Sequence, residues 1–272
     1  MSFYSGKIAI ITGAASGIGY ALSRELGRRG AAVVMADRNV DLLFTSSAAL
    51  TGEGFRVNAA QLDVTDPAAV KKLVDDTVAA HGRLDYLFNN AGIVIVGEAR
   101  DFSLEDWYTV INTNLYGVVH GVAAAYPLMV KQGFGHIVNT ASVAGLVPAT
   151  GQVPYTASKY AVVGLSNALR IEGADYGVKV SVVCPGLIDT PILKTSRMIN
   201  MDRAKLAKMM PGRMAPDTCA GEILRNVEKN KATIVVTGLA KTYWLIQRIS
   251  PGLMRWIWRG VTRKVRKTRI ET

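Results

Sequence analysis

The amino-acid sequence predicts an α/β fold, a parallel sheet with helices wound on both faces and a basic helical tail beyond it. Three observations carry this. Short apolar runs alternate with longer stretches of helical periodicity across the first 240 residues. The first run ends in a glycine-rich turn, Gly13-Ala-Ala-Ser-Gly17-Ile-Gly19, and the second ends in an acid, Asp37. Third, the junctions carry helix start and stop signals: Pro67 suits a first helical turn and Gly82 a left-handed cap.

In chain order, residues 7–12 read as the first strand, with a helix following to residue 29. Residues 32–37 form the second strand, 41–50 a helix and 56–62 a third strand ending at Asp63-Val64. A helix over 67–81 precedes a fourth strand at 84–88, which runs into Asn89-Asn90-Ala91-Gly92. Residues 103–131 read as one long helical region containing Asn114. Strands follow at 134–141 and 178–184, with a helix opening at Tyr155 between them. Strands alternating with helices imply parallel pairing, which places ligands at the carboxyl ends of the strands. Gly13, Asp37, Asp63 and Asn90 all fall at such ends.

Composition narrows the class. A chain of 272 residues suffices for one such domain with an appendage. No run approaches ~20 apolar residues, so no spanning helix is expected. The start of the chain passes almost directly into a strand, without a basic region and cleavable apolar segment. Cys184 and Cys219 have neither metal-ligand spacing nor a disulfide framework. Both read as packing residues, no metal site is expected, and a cytoplasmic location fits. His81 reads as a helix-end residue, His136 as structural, and His120 has no motif partner.

The glycine loop has the context that gives such a loop meaning. Glycines at 13, 17 and 19 allow a sharp turn from strand to helix and close approach of phosphates, whose charge suits the free N–H groups of the helix start. Asp37, eighteen residues beyond Gly19, is placed to bind adenosine ribose hydroxyls. A carboxylate there favours NAD and repels the 2′-phosphate of NADP. Arg38 next to it leaves NADP open.

Tyr155-Thr-Ala-Ser-Lys159 sets a phenol and an ammonium one helical turn apart. A phenol titrating near ~10 is a weak base at neutral pH, and a neighbouring cation favours its ionised form. With Thr12-Gly13-x-x-x-Gly17-Ile-Gly19, Asp63, Asn89-Asn90-Ala91-Gly92, Asn114, Ser142 and Pro185-Gly186 with Thr190, the chain resembles the short-chain dehydrogenase/reductase family in its compact form, across about residues 5–240.

The resemblance implies a Rossmann-type fold with a seven-stranded parallel sheet, residues 233–236 being its last strand. It implies a tetrad of Asn114, Ser142, Tyr155 and Lys159. Dinucleotide contacts would come from Gly13, Ser16, Gly17, Ile18, Gly19, Asp37, Arg38, Asp63, Val64, Asn90, Ala91, Gly92, Tyr155, Lys159, Pro185, Gly186, Ile188 and Thr190. Tyr155 would exchange the hydroxyl proton and Ser142 would bind the substrate oxygen. Lys159 would lower the Tyr155 pKa and, by analogy with the family, hold the nicotinamide ribose. Asn114 would place a water linking Lys159 to solvent. Homodimers or homotetramers are common in the family.

The substrate segment runs from residue 187 through a methionine-rich stretch to Pro211. Met198, Met201, Met209, Met210 and Met214 suit an adaptable apolar wall, with Val94, Val96, Ala144, Leu146 and Val153 near the expected cleft. An apolar alcohol or ketone is the substrate class this favours. A rival reading is a catalytically idle dinucleotide-binding scaffold acting through its tail, although such a scaffold has no need of Asn114 and Ser142.

The tail, residues 241–272, reads as an extension of a domain spanning 1–240. It holds nine Lys/Arg against Glu271 alone, +8 of the chain's net +11. Residues 250–252 divide it into two short helices. Two readings of it stand. One is an interfacial segment peripheral to a membrane. In the other, Trp244, Trp256 and Trp258 pack on the domain or a partner subunit and the cations are solvated. Nucleic-acid binding is not expected, since no recognised module accompanies the basic run.

Overall fold

A computed structural model describes residues 2–210 and 212–270. Pro211, which closes the methionine-rich stretch, and Glu271, the acid of the tail, lie outside the described residues. The first half is β1 (Ile8–Thr12), α1 (Gly17–Arg28), β2 (Ala32–Asp37), α2 (Val40–Gly52), β3 (Arg56–Gln61), α3 (Pro67–His81) and β4 (Tyr86–Asn89). After a two-residue strand β5 (Ile95–Val96) come α4 (Leu104–Ile111), α5 (Gly117–Gln132), β6 (Gly135–Thr140), α6 (Val153–Gly173) and β7 (Val178–Pro185). The substrate region holds α7 (Ile192–Thr195), β8 (Arg197–Met198) and α8 (Arg203–Lys208). The chain then runs through α9 (Pro216–Glu228), β9 (Thr233–Val236), α10 (Gly238–Ile249) and α11 (Pro251–Arg266).

Seven strands form one parallel sheet in the order β3-β2-β1-β4-β6-β7-β9. β1 is buried along its whole length, which explains a continuous apolar run rather than an alternating one. Leu22 and Leu26 of α1 pack with Ile223, Leu224 and Val227 of α9 on one face. Val74 of α3 packs with Ala125 and Met129 of α5 on the other. The strand order reverses between β1 and β4, so the carboxyl ends of those two strands open a crevice there.

Local signals act as read. Asp66 caps α3 through Ala68 and Ala69 N–H groups, and Gly82 closes it in the left-handed region at φ 73°. The long helical region is a correction. It divides into α4 and α5 around a π turn at Asn112–Tyr116, and Asn114 sits in that turn. Such turns collect at functional sites, and helical periodicity on either side hides them.

His136 is buried, and its Nε2 lies 2.9 Å from the Ser181 hydroxyl. Because that hydroxyl donates to the Lys231 carbonyl, Nε2 carries the imidazole proton. Burial pushes the His136 pKa down to about 3, with Lys179 and Arg170 adding to it. A depressed histidine contributes stability above its unfolded value of ~6.5 and loses it as pH falls toward the folded value. His136→Gln is therefore expected to flatten the loss of melting temperature between about pH 6.5 and 3. An acid limb equal to wild type would show that His136 does not control it.

Candidate active site

The four catalytic candidates come from three places in the chain, and the fold brings them together. The dinucleotide end is built from glycine geometry. Gly13 and Gly17 hold φ of 65° and 56°. A Cβ on Gly19 would stand 2.1 Å from the Gly13 carbonyl oxygen, so only glycine lets α1 start against the loop. Ser16 stands at the N-cap of α1 and spends no side-chain hydrogen bond on it. Asp37 is oriented by the Ala15 N–H at 3.1 Å and the Asn39 N–H at 3.0 Å, one on each carboxylate oxygen. Each oxygen keeps a lone pair for a ribose hydroxyl.

A cleft opens here, lined by Gly13, Asp37, Arg38, Asp63, Val64, Ala91 and Gly92. Asp63 is held below its ordinary carboxylate value by the Thr65 N–H and hydroxyl and by Arg38. Asn90 donates to the Thr12 and Gly13 carbonyls at 3.0 and 3.3 Å, stitching β4 to the glycine loop. Thr190 lies against Gly17, and Gly186 against Thr237. Pro185 ends β7, Ile188 is buried and pairs with Met214, and the Ile18 side chain packs into the core.

Tyr155 and Lys159 project from α6, Ser142 stands at the end of β6, and Asn114 comes from the π turn. Asn114 Oδ1 accepts from the Ile93 N–H at 2.8 Å. Its Nδ2 donates to the Ile93 carbonyl at 2.9 Å and to Ser158 Oγ at 3.2 Å. Ser158 in turn donates to the Tyr155 carbonyl at 2.7 Å. Asn114 thus clamps the loop after β4 to the helix carrying the phenol. Gly92 lies between Asn114 Oδ1 and Lys159 Nζ, where a Cβ would be 3.2 and 3.4 Å from them.

The electrostatics differ from the simple expectation in one respect. Burial pushes the Tyr155 phenol up, and the Ser142 hydroxyl, hydrogen-bonded to it, pulls it partly back. Lys159 is buried and held down to about 8 by that burial. Its Nζ donates to the Thr140 carbonyl at 2.8 Å and lies 5.5 Å from the centre of the Tyr155 ring. Burial sets the direction of the phenol's shift, and the same desolvation weakens the charged form of Lys159. Cys184 beneath them is pushed up to about 12 by burial, so it is a packing thiol and not a nucleophile. Cys219 is held equally high.

Tyr155 packs against a buried apolar cluster of Val94, Val96 and Leu206, which Met198, Met210 and Val265 also join. Met214 instead packs against the sheet core, and Leu146 joins Trp244 in a separate cluster. Val265 comes from the tail. Helix α11 folds back across the domain, buries Met254, and bonds Thr262 to Thr150 at 2.9 Å. Arg266 and Arg269 pair with Glu98, and Arg269 with Asp101, so the tail is fastened to the loop after β5. The Asp202 N–H donates to the Thr268 carbonyl, tying it also to the start of α8.

Thr12 is read in the sequence only as part of the glycine motif, and Thr140, Ser158, Leu206 and Val265 are given no role there. For the first two, position at a strand's carboxyl end was the available signal. Ser158 lies inside the Tyr155–Lys159 segment, and Val265 had no local signal at all.

A glycine loop, a ribose-facing acid and a phenol–ammonium pair at the carboxyl edge of one parallel sheet define a dinucleotide-dependent oxidoreductase. The chain belongs to the short chain dehydrogenase family, whose pattern it matches over residues 7–199. It is 36% identical over 255 residues, 92% of each chain, to SadH of Mycobacterium tuberculosis, whose designation goes no further than oxidoreductase. It is 40% identical to the 3-oxoacyl-[acyl-carrier-protein] reductase FabG of Thermotoga maritima, over 69% of this chain and 76% of that one. The crystal structure of a short chain dehydrogenase/reductase from Burkholderia phymatum in complex with NAD superposes with a TM-score of 0.85 at 30% identity, covering 93% and 96% of the two chains. Members of this family bind NAD or NADP.

Proposed function

We propose that the protein transfers hydride between NAD and an apolar secondary alcohol or ketone, or an alcohol/aldehyde pair, with Tyr155 as the general base or acid. The observation that carries this reading is the closeness of Ser142 and Lys159 to Tyr155, beside a buried apolar cluster. The bound dinucleotide would supply or accept the hydride. Ser142 holds the substrate oxygen and faces charge that develops there. Tyr155 takes the hydroxyl proton during oxidation and returns it during reduction. Lys159 holds the nicotinamide ribose and stabilises the phenolate, and Asn114 fixes the loop and helix that position both.

Gly13, Ser16, Gly17 and Gly19 would receive the pyrophosphate, with Asp63, Val64, Asn90, Ala91 and Gly92 along the adenosine and nicotinamide-ribose path. NAD is favoured because Asp37 lines the cleft at the end of β2, where a carboxylate accepts from ribose hydroxyls and repels a 2′-phosphate. Asp37→Ser is expected to raise the NADP-to-NAD ratio of kcat/KM by roughly 10- to 100-fold, the range of one to two hydrogen bonds to a charged group. A ratio unchanged by the substitution, or a wild-type preference for NADP, would overturn the assignment.

The apolar wall argues for an uncharged substrate. Arg197 is engaged by Asp106, and Arg203 by the Leu193 and Ser196 carbonyls, so neither is free to bind a carboxylate. Val265→Trp, which adds bulk beside Tyr155, is expected to raise KM for branched or long substrates more than tenfold while changing that for short ones less. Equal effects on both would place Val265 outside the wall. Assay of alcohols and ketones by NAD(P)H absorbance tests the function itself, with substrate-dependent turnover expected. Dinucleotide binding without turnover on any of them would favour the idle scaffold.

A further inference from the structure

The tail carries more positive charge than its packing uses. Lys241 pairs with Glu222, and Arg266 and Arg269 with Glu98 and Asp101. Among the described residues, Arg255, Arg259, Arg263, Lys264 and Lys267 pair with no carboxylate, and all five are exposed. Arg259, Arg263 and Lys267 recur at i, i+4 and i+8, on the side of α11 away from Met254, Val261 and Val265. Within this cationic face stands Trp256, 71% exposed. One turn earlier is Leu253, and across the Ser250 corner on α10 are Ile249, 75% exposed, and Leu245.

We propose that this outer face of α10 and α11 docks on an anionic lipid bilayer. Trp256, Leu253, Ile249 and Leu245 would enter the boundary between headgroups and acyl chains, while the five cations bind acidic headgroups. An indole suits that depth because it joins an apolar body to an N–H donor. The aliphatic corner separates a bilayer from nucleic acid, whose phosphate backbone gives Leu245 and Ile249 nothing to bury against. The contact is peripheral, since no helix among the described residues is long and apolar enough to cross a membrane. It does not depend on the reaction assigned to the site.

The test uses the full chain and vesicles of phosphatidylcholine alone or mixed with phosphatidylglycerol. Sedimentation with the anionic vesicles is expected to exceed that with neutral ones by more than about tenfold and to weaken with salt. The tryptophan emission should shift to the blue on binding, and Trp256→Ala should remove that shift. The triple variant Arg259→Glu, Arg263→Glu and Lys264→Glu should lose sedimentation while keeping the wild-type melting temperature and dinucleotide affinity. Equal sedimentation with both vesicle types at low salt, or unimpaired binding by the triple variant, would overturn the proposal. So would duplex DNA binding of equal strength without a spectral shift, or a patch whose only effect is on the oligomeric state.

Discussion

Tyr155→Phe is expected to lower turnover by roughly 10³- to 10⁴-fold, the full worth of a positioned acid or base, while dinucleotide affinity stays within a few-fold of wild type. The substitution removes one oxygen from a side chain whose ring already packs with Val94, Val96 and Val265. The Asn114–Ser158 clamp below it uses the Tyr155 carbonyl rather than the phenol. Helix α6 therefore keeps its position, and the glycine loop is untouched. Turnover by absorbance and affinity by nucleotide fluorescence separate the two effects. Activity within tenfold of wild type would remove Tyr155 from the proton-transfer role.

Lys159→Met is expected to cost roughly 10²- to 10⁴-fold at neutral pH and to change the shape of the pH profile. Lys159 is held down to about 8 and its phenol neighbour is pushed up by burial, so the ammonium titrates first as pH rises. Reduction needs the fully protonated pair and should fall as pH rises through about 8. Without the ammonium, the phenol alone titrates, and the limb should move to or beyond the ordinary phenol value of ~10. A profile of unchanged shape in the variant would show that Lys159 does not tune Tyr155.

The fold was legible because its signals are local. Buried parallel strands read as apolar runs, Pro67 and Gly82 bound α3, and Tyr155 and Lys159 are one turn apart on any helix. The candidate dinucleotide residues follow from the same logic, since strand ends in a parallel sheet share one edge. Other features depend on contacts that no local pattern encodes. Helical periodicity gives Asn114 no role, and although the family resemblance singles it out, its bonds to Ile93 and Ser158 across the chain come only from the fold. The pairing of β5 with β8 joins two residues to two, too short for any periodicity. The tail's two helices were visible in its amphipathic spacing, with the break at residues 250–252. Its path back onto the domain depends on Val265 packing against the Val94, Val96 and Leu206 cluster and on Arg269 reaching Asp101. Its tryptophans divide between the two readings, Trp244 and Trp258 packing inward and Trp256 facing solvent.

A crystal structure with dinucleotide and an unreactive carbonyl analogue tests the central claim most directly. The carbonyl oxygen is expected within about 2.6–3.2 Å of both Tyr155 and Ser142 hydroxyls, with the nicotinamide ribose against Lys159. An analogue oxygen held by other residues, with Tyr155 turned away from it, would contradict the account.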